Sequence, residues 1–201
     1  MIKVINYGLG NILSFINLYK RLNIECGVAT SSRELEGATR IILPGVGSFD
    51  HAMDSLNQSG MRPALDELIL EKKLPVLGIC VGMQMLAGSS DEGQRPGLGW
   101  VPGSVRKFDL ERVKQLPHMG WNDVDPVDAE GLFKGFGGSS KFYFLHSYYY
   151  ECEQQAHVLA TANYGADFTC AVKNNNVHGV QFHPEKSHQY GMSLLKNFSE
   201  L

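Results

Sequence analysis

Short apolar runs alternate with helix-length amphipathic stretches through the first half of the chain. Ile2 to Ile5 opens the pattern, a helix is expected from about Ile12 to Leu22, and a second strand near Ile24 to Val28. Arg40-Ile41-Ile42-Leu43 reads as a strand ended by Pro44-Gly45. The stretch from Phe49 to about Lys72 is mostly helical, interrupted at Ser59-Gly60, and Leu74 to Ile79 supplies the next strand. The apolar character of these runs is continuous rather than alternating. Both of their faces are therefore buried, the condition of a parallel sheet flanked by helices.

Beyond a helix from Val81 to Leu86 and the polar loop Gly88 to Gly93, the texture changes to short strands joined by turns. Trp100 to Phe108, Lys141 to Leu145 and Thr169 to Val172 are such strands, with Asn174-Asn175-Asn176 as a hairpin tip. Val177 to Phe182 is a further strand and Gly191 to Phe198 a terminal helix. The fold class expected is α/β, an open and mostly parallel central sheet flanked by helices, with additional short antiparallel strands in the C-terminal half. No internal repeat or low-complexity tract interrupts it.

A chain of 201 residues with 43% hydrophobic content buries one sizeable core, so residues 1–201 are expected to form one domain. A net charge of −3, with no basic stripe, argues against nucleic-acid or membrane-surface binding. Met1 leads directly into the first strand without a signal peptide, and no apolar run is long enough to span a bilayer, so a cytoplasmic location is expected. Cys26, Cys80, Cys152 and Cys170 have no paired spacing, which indicates neither a disulfide framework nor a metal site.

One cysteine stands apart. Gly78-Ile79-Cys80-Val81-Gly82 follows the apolar run Leu74 to Leu77, so a buried strand turns sharply into a helix with Cys80 at the turn. Flanking glycines permit the strained turn, and the helix N-terminus favours a thiolate. A free thiol, with a pKa of roughly 8.5, is only slightly ionised at neutral pH and needs a base. Gln181-Phe182-His183-Pro184-Glu185 offers one: His183 to take and return the proton, Glu185 to orient it. Side chains two apart in an extended segment share a side, and Pro184 discourages a helix. Parallel strands send their carboxyl ends to one edge, where the turns after Ile79 and Phe182 can meet. Pro44-Gly45-Val46-Gly47 follows another strand ending at that edge, and its amides with that of Val81 make a candidate oxyanion hole.

Competing readings of other features are weaker. Gly8-Leu9-Gly10-Asn11 lacks the third glycine and the framed acid of a dinucleotide site, and is a βα turn. The aromatic clusters Phe142-Tyr143-Phe144 and Tyr148-Tyr149-Tyr150 lack interleaved basic residues, which favours core packing and pocket lining over base stacking. The histidines other than His183, such as His51, His157 and His188, are expected at the surface.

The cysteine elbow and the Phe-His-Pro-Glu segment resemble those of class I (triad) glutamine amidotransferases. Pro44 to Phe49, Gly78 to Gln84, Pro117-His118-Met119-Gly120-Trp121-Asn122, His146 to Tyr149, Gly179 to Ser187 and the ending Leu194 to Phe198 are similar to the glutaminase subunits of imidazole glycerol phosphate synthases. The resemblance implies that Cys80 attacks the glutamine amide to form a thioester, that His183 protonates the departing ammonia and that Glu185 orients His183. It further implies substrate contacts at Gln84, Glu92 and the backbone of His146, Ser147 and Tyr148, and a switch in the Gly45-Val46-Gly47 loop. No cofactor or metal is implied. The implied partner is a (βα)₈-barrel synthase subunit, met at or near Asn11, Trp121 and Lys186, which receives the ammonia for histidine biosynthesis. Val81, Met119 and Leu145 depart from the commonest pattern and are compatible with a paralogue serving amidino groups on bacterial surface sugars. An inactive regulatory subunit is the alternative of a different class, and the intact Cys80, His183 and Glu185 speak against it.

Overall fold

The computed structural model describes residues 1–113, 115–137 and 140–201. Its first half is a run of βα units: β1 (Ile2–Ile5), α1 (Ile12–Arg21), β2 (Cys26–Ala29), β3 (Arg40–Gly45), α2 (Phe49–Gln58), α3 (Arg62–Asp66), β4 (Val76–Cys80) and α4 (Val81–Gln84). α3 continues as a wider π turn over Glu67–Glu71. Phe15 and Tyr19 of α1 and Ala52, Met53 and Leu56 of α2 are buried, at the spacing that places one helix face on the core.

The second half supplies β5 (Ser89–Ser90), β6 (Gly103–Lys107), β7 (His118–Pro126), β8 (Ser140–His146), β9 (Tyr148–Cys152), β10 (Val158–Asn163), β11 (Asp167–Asn174), β12 (Val177–Val180) and α5 (His188–Glu200). The main path of the sheet is β2-β1-β3-β4-β12-β11-β10-β7-β8. From β2 to β12 all neighbours are parallel, and from β12 onward they are antiparallel. β9 pairs with β11 and β6, and β6 with β5, forming a branch. α5 buries Leu194, Leu195 and Phe198, and the Tyr19 hydroxyl of α1 donates to the Leu195 carbonyl at 3.1 Å.

The parallel core follows the expected order, and the differences from it have local causes. β3 runs through Pro44-Gly45 instead of stopping there, because Gly45 pairs with Cys80 on β4 and the Tyr7 hydroxyl donates to the Pro44 carbonyl at 2.7 Å. The helix after Cys80 ends at Gln84, where Leu98 donates its N–H to the Met85 carbonyl at 2.8 Å in place of a continuing turn. Part of the loop after it is the short strand β5. β7, β9 and β10 carry polar residues on their outer positions and lack the continuous apolar runs by which the parallel strands stand out. His118, His146 and His178 are buried, correcting the expectation that the remaining histidines lie at the surface.

The β11–β12 hairpin turns at Asn175, whose φ of 54° lies where asparagine is tolerated. Beside it, Asn176 Nδ2 donates to the carbonyls of Ile69 and Leu74 at 2.9 and 2.8 Å, and Val76 N–H donates to the Asn176 carbonyl at 3.0 Å. The hairpin tip thus sets the start of β4 against β12. Asn176→Ala should lower the unfolding free energy by about 1–3 kcal/mol, the cost of unsatisfied partly buried carbonyls, as measured by urea denaturation; an unchanged midpoint would refute the role given to this amide.

Candidate active site

Cys80 closes β4 at φ 55° and ψ −114°, a left-handed backbone that a side-chain-bearing residue adopts only under constraint. The constraint is close packing of backbone on backbone. A Cβ on Gly78 would lie 2.6 Å from the Gly82 carbonyl oxygen, and one on Gly82 would overlap the Leu43 carbonyl. Only glycine fits at either position, so α4 is drawn tightly onto β3 and the thiol is forced outward at the turn. α4 is a single turn, and what it offers the sulfur is its unbonded first amides rather than a developed macrodipole.

Three strand ends converge at this elbow. Gly45 on β3 pairs with Cys80, and Val180 on β12 pairs with Ile79. Past β12, the His183 N–H donates to the Tyr143 carbonyl at 2.8 Å, and Ser187 Oγ bridges the two segments by donating to the His183 carbonyl at 2.6 Å and accepting from the Tyr143 N–H at 3.0 Å. So fixed, the His183 ring hydrogen-bonds the Cys80 thiol on one side and places Nδ1 2.8 Å from Glu185 Oε1 on the other. The His183 and Glu185 side chains are only 5% and 4% exposed. The structure brings the three residues together.

A cavity of about 220 Å³ opens over the sulfur. Gly47, Val81, Gln84, Glu92, Pro117, Leu145, His146, Ser147 and Tyr148 line it with Cys80. Every residue proposed for substrate contact is therefore on its wall. Of the loop expected to act as a switch, Gly47 lines the cavity at φ 86°, Val46 is exposed, and Gly45 is buried beside the elbow. Glu92 is partly committed, since its Oε2 accepts the Phe49 N–H at 2.8 Å at the start of α2. His183 and Glu185 are outside the lining and reach the cavity through Cys80.

Gln181 was not singled out from the sequence as a site residue, although it directly precedes the Phe-His-Pro-Glu segment. It is fully buried. Its Nε2 lies 3.8 Å from Cys80 Sγ, and its Oε1 accepts from Gln84 Nε2 at 3.0 Å. Gln84 Nε2 also donates to the Tyr148 carbonyl at 3.3 Å, so both amide hydrogens are used and the Gln84 Oε1 remains as an acceptor.

The residues assigned to a partner interface are all exposed. Trp121 faces Tyr143 across β7 and β8 and stacks on His188 with ring centroids 5.2 Å apart, while Lys186 Nζ lies 5.6 Å from the Tyr143 ring. Met119 and Leu145, paired across the same strands, extend this exposed apolar surface toward Cys80, whose Sγ lies 3.9 Å from the Leu145 carbonyl. Asn11 begins α1, next to Gly10, whose backbone abuts Pro44 of the switch loop.

Residues 4–200 match the family described as glutamine amidotransferase class-I. The chain belongs to that family. It is 64% identical to the imidazole glycerol phosphate synthase subunit HisH of Bdellovibrio bacteriovorus and 50% identical to the subunit of the same name from Leptospira borgpetersenii, each over 100% of both chains. A crystal structure of a glutamine amidotransferase shares the fold at a TM-score of 0.77 and 23% identity, covering 99% of this chain and 97% of that one. As a class I glutamine amidotransferase the protein is an enzyme, and among the described residues no helix is long and apolar enough to cross a membrane.

In this amidotransferase site the histidines are pushed in opposite directions. Burial opposes a charge on His183, but hydrogen bonds and charge from Cys80 and Glu185 outweigh it and raise its pKa to about 10. The raised value makes the imidazolium part of the folded state. Its stabilisation is full below the ordinary pKa of about 6.5 and is lost as pH rises through about 10. In ¹⁵N NMR the His183 ring should carry both protons at neutral pH and lose one only toward pH 10, and Glu185→Gln or Cys80→Ser should move that midpoint down. A midpoint near 6.5 in the unsubstituted protein would contradict this assignment.

Proposed function

We propose that the protein is the glutaminase subunit of an imidazole glycerol phosphate synthase, formed by one amidotransferase domain spanning residues 1–201. The observation that carries the reading is the strained Cys80 elbow, hydrogen-bonded to a buried His183–Glu185 pair and opening on a polar cavity. The pathway rests on the full-length likeness to subunits of that name.

In the chemistry this arrangement supports, the Cys80 sulfur attacks the side-chain carboxamide carbon of L-glutamine. Negative charge gathers on the amide oxygen, which the amides of Val81 and of the Gly45-Val46-Gly47 loop are suited to hold once the loop presents one of them inward. His183, already protonated, gives its proton to the departing nitrogen, so ammonia leaves rather than an amide anion. Water then attacks the glutamyl thioester with neutral His183 as base; the ring keeps the water's proton, which returns it to its protonated form as the Cys80 sulfur leaves and glutamate is released. Glu185 holds the ring and its charge throughout. Gln84, Glu92, His146, Ser147 and Tyr148 form the remainder of the substrate pocket, and no cofactor or metal enters the scheme.

Ammonia set free in water would be protonated and lost, so the reading requires an acceptor protein seated over the exit. The exposed apolar surface of Met119, Trp121 and Leu145, flanked by Lys186, supports docking of a (βα)₈-barrel synthase subunit to give a cytoplasmic heterodimer.

Cys80→Ala should abolish glutamine-driven synthesis in the complex while leaving ammonium-driven synthesis by the barrel subunit intact, and the unsubstituted gene should restore growth to a histidine auxotroph lacking this subunit. Residual glutamine-dependent turnover in Cys80→Ala would remove the nucleophile assignment; failed rescue beside a competent barrel partner would remove the pathway. Trp121→Ala should weaken binding to the barrel subunit by about 2 kcal/mol, as a desolvated aromatic anchor does, read by calorimetric titration, with the melting temperature of the isolated chain almost unchanged.

A further inference from the structure

A hydrogen-bond chain runs from the surface strand β7 to the floor of the substrate cavity, and the identity of every proton in it can be deduced. It begins at Asn122, whose Oδ1 accepts the Asp123 N–H at 2.9 Å and whose Nδ2 donates to the Asn163 carbonyl at 2.8 Å. The amide orientation is thereby fixed. The same Nδ2 faces His118 Nε2 at 3.3 Å, so that ring nitrogen must be the acceptor and the proton sits on Nδ1. His118 Nδ1 lies 2.9 Å from His146 Nε2, which must accept in turn, leaving the His146 proton on Nδ1, 2.8 Å from the Tyr148 carbonyl. Donors point one way along the whole chain.

Its far end is functional ground. His146 and Tyr148 line the cavity over Cys80, and the Tyr148 carbonyl also receives Gln84 Nε2. His118 itself is buried and outside the cavity lining, stacked between Phe144 and Tyr164 with centroids 4.8 and 4.0 Å away. We propose that His118 is a positioning residue for the substrate pocket: by donating to His146 it locks that ring onto the Tyr148 carbonyl and so fixes the wall against which glutamine is held. The proposal rests on the glutaminase reading and adds to it a residue that does not touch substrate. Burial holds both rings in their neutral forms, with pKa values lowered to about 4 for His118 and about 3 for His146, as a chain with one proton per ring requires.

The test separates hydrogen bonding from filling of space. An asparagine amide occupies the place of an imidazole Nδ1, whereas a glutamine amide occupies that of Nε2 and fills more of the site. His118→Asn should therefore keep the donor to His146 and stay within about threefold of the unsubstituted KM for glutamine in the assembled complex. His118→Gln and His118→Phe should raise that KM about tenfold, the size of one lost hydrogen bond, with kcat changed less than KM. ¹⁵N NMR of the isolated chain should find the His146 proton on Nδ1 throughout, held by the Tyr148 carbonyl, with the Nε2 resonance shifted to that of an unbonded acceptor in His118→Gln and His118→Phe but not in His118→Asn. If His118→Gln restores KM better than His118→Asn, or if the His146 Nε2 resonance is unmoved in His118→Phe, the positioning role is overturned. An unsubstituted complex without glutaminase activity would instead overturn the function on which the proposal stands.

Discussion

The active edge of the molecule depends on one close contact of backbone with backbone, α4 lying directly on the end of β3. Gly82 sits against the Leu43 carbonyl, Gly45 against the Gly82 nitrogen, and Gly78 against the carbonyl of Gly82, with no room for a Cβ at any of the three. This approach turns the chain through Cys80 at positive φ and brings the loop that begins at Gly45 alongside it in one stroke. The cost of the left-handed cysteine, of order 1–3 kcal/mol, is offset by the surrounding parallel strands, which are fully buried and over-determine the turn. A side chain at Gly82 would displace Cys80, α4 and the loop together, because they share the same contact.

That dependence explains how much could be read from the sequence. β3 and β4 carry the continuous apolar stretches Ile41-Ile42-Leu43 and Val76-Leu77 because both of their faces are covered, and such stretches announce that condition without ambiguity. Glycines on either side of Cys80 and a proline between His183 and Glu185 are local requirements of the elbow and of the extended segment, so the elbow and the segment that meets it were legible too. β7, β9 and β10 were not. Strands such as His118–Pro126 have one open face, and residues including His118 and Asn122 are polar for reasons that lie in pairing with distant segments. Nothing in a linear pattern distinguishes a polar residue facing solvent from one facing another buried polar residue. His118, His146 and Gln181 belong to that second kind, which is why their environments had to come from the structure.

The buried histidines make the same point in electrostatic terms. His183, His118 and His146 are all almost wholly enclosed, and enclosure alone favours the neutral ring at each. What separates them is the company each ring keeps. His183 lies between a thiol sulfur and a carboxylate, both able to accept, so a second proton gains a partner and the ring charges. His118 and His146 each have one nitrogen facing a donor, where a second proton would meet another N–H, so burial prevails and both stay neutral. The consequences for stability have opposite signs. The contribution of His183 is lost as pH rises from about 6.5 through about 10, while that of the His118–His146 pair is lost as pH falls from about 6.5 toward 4 and below. All three are satisfied together only near neutrality, with His183 charged and His118 and His146 uncharged.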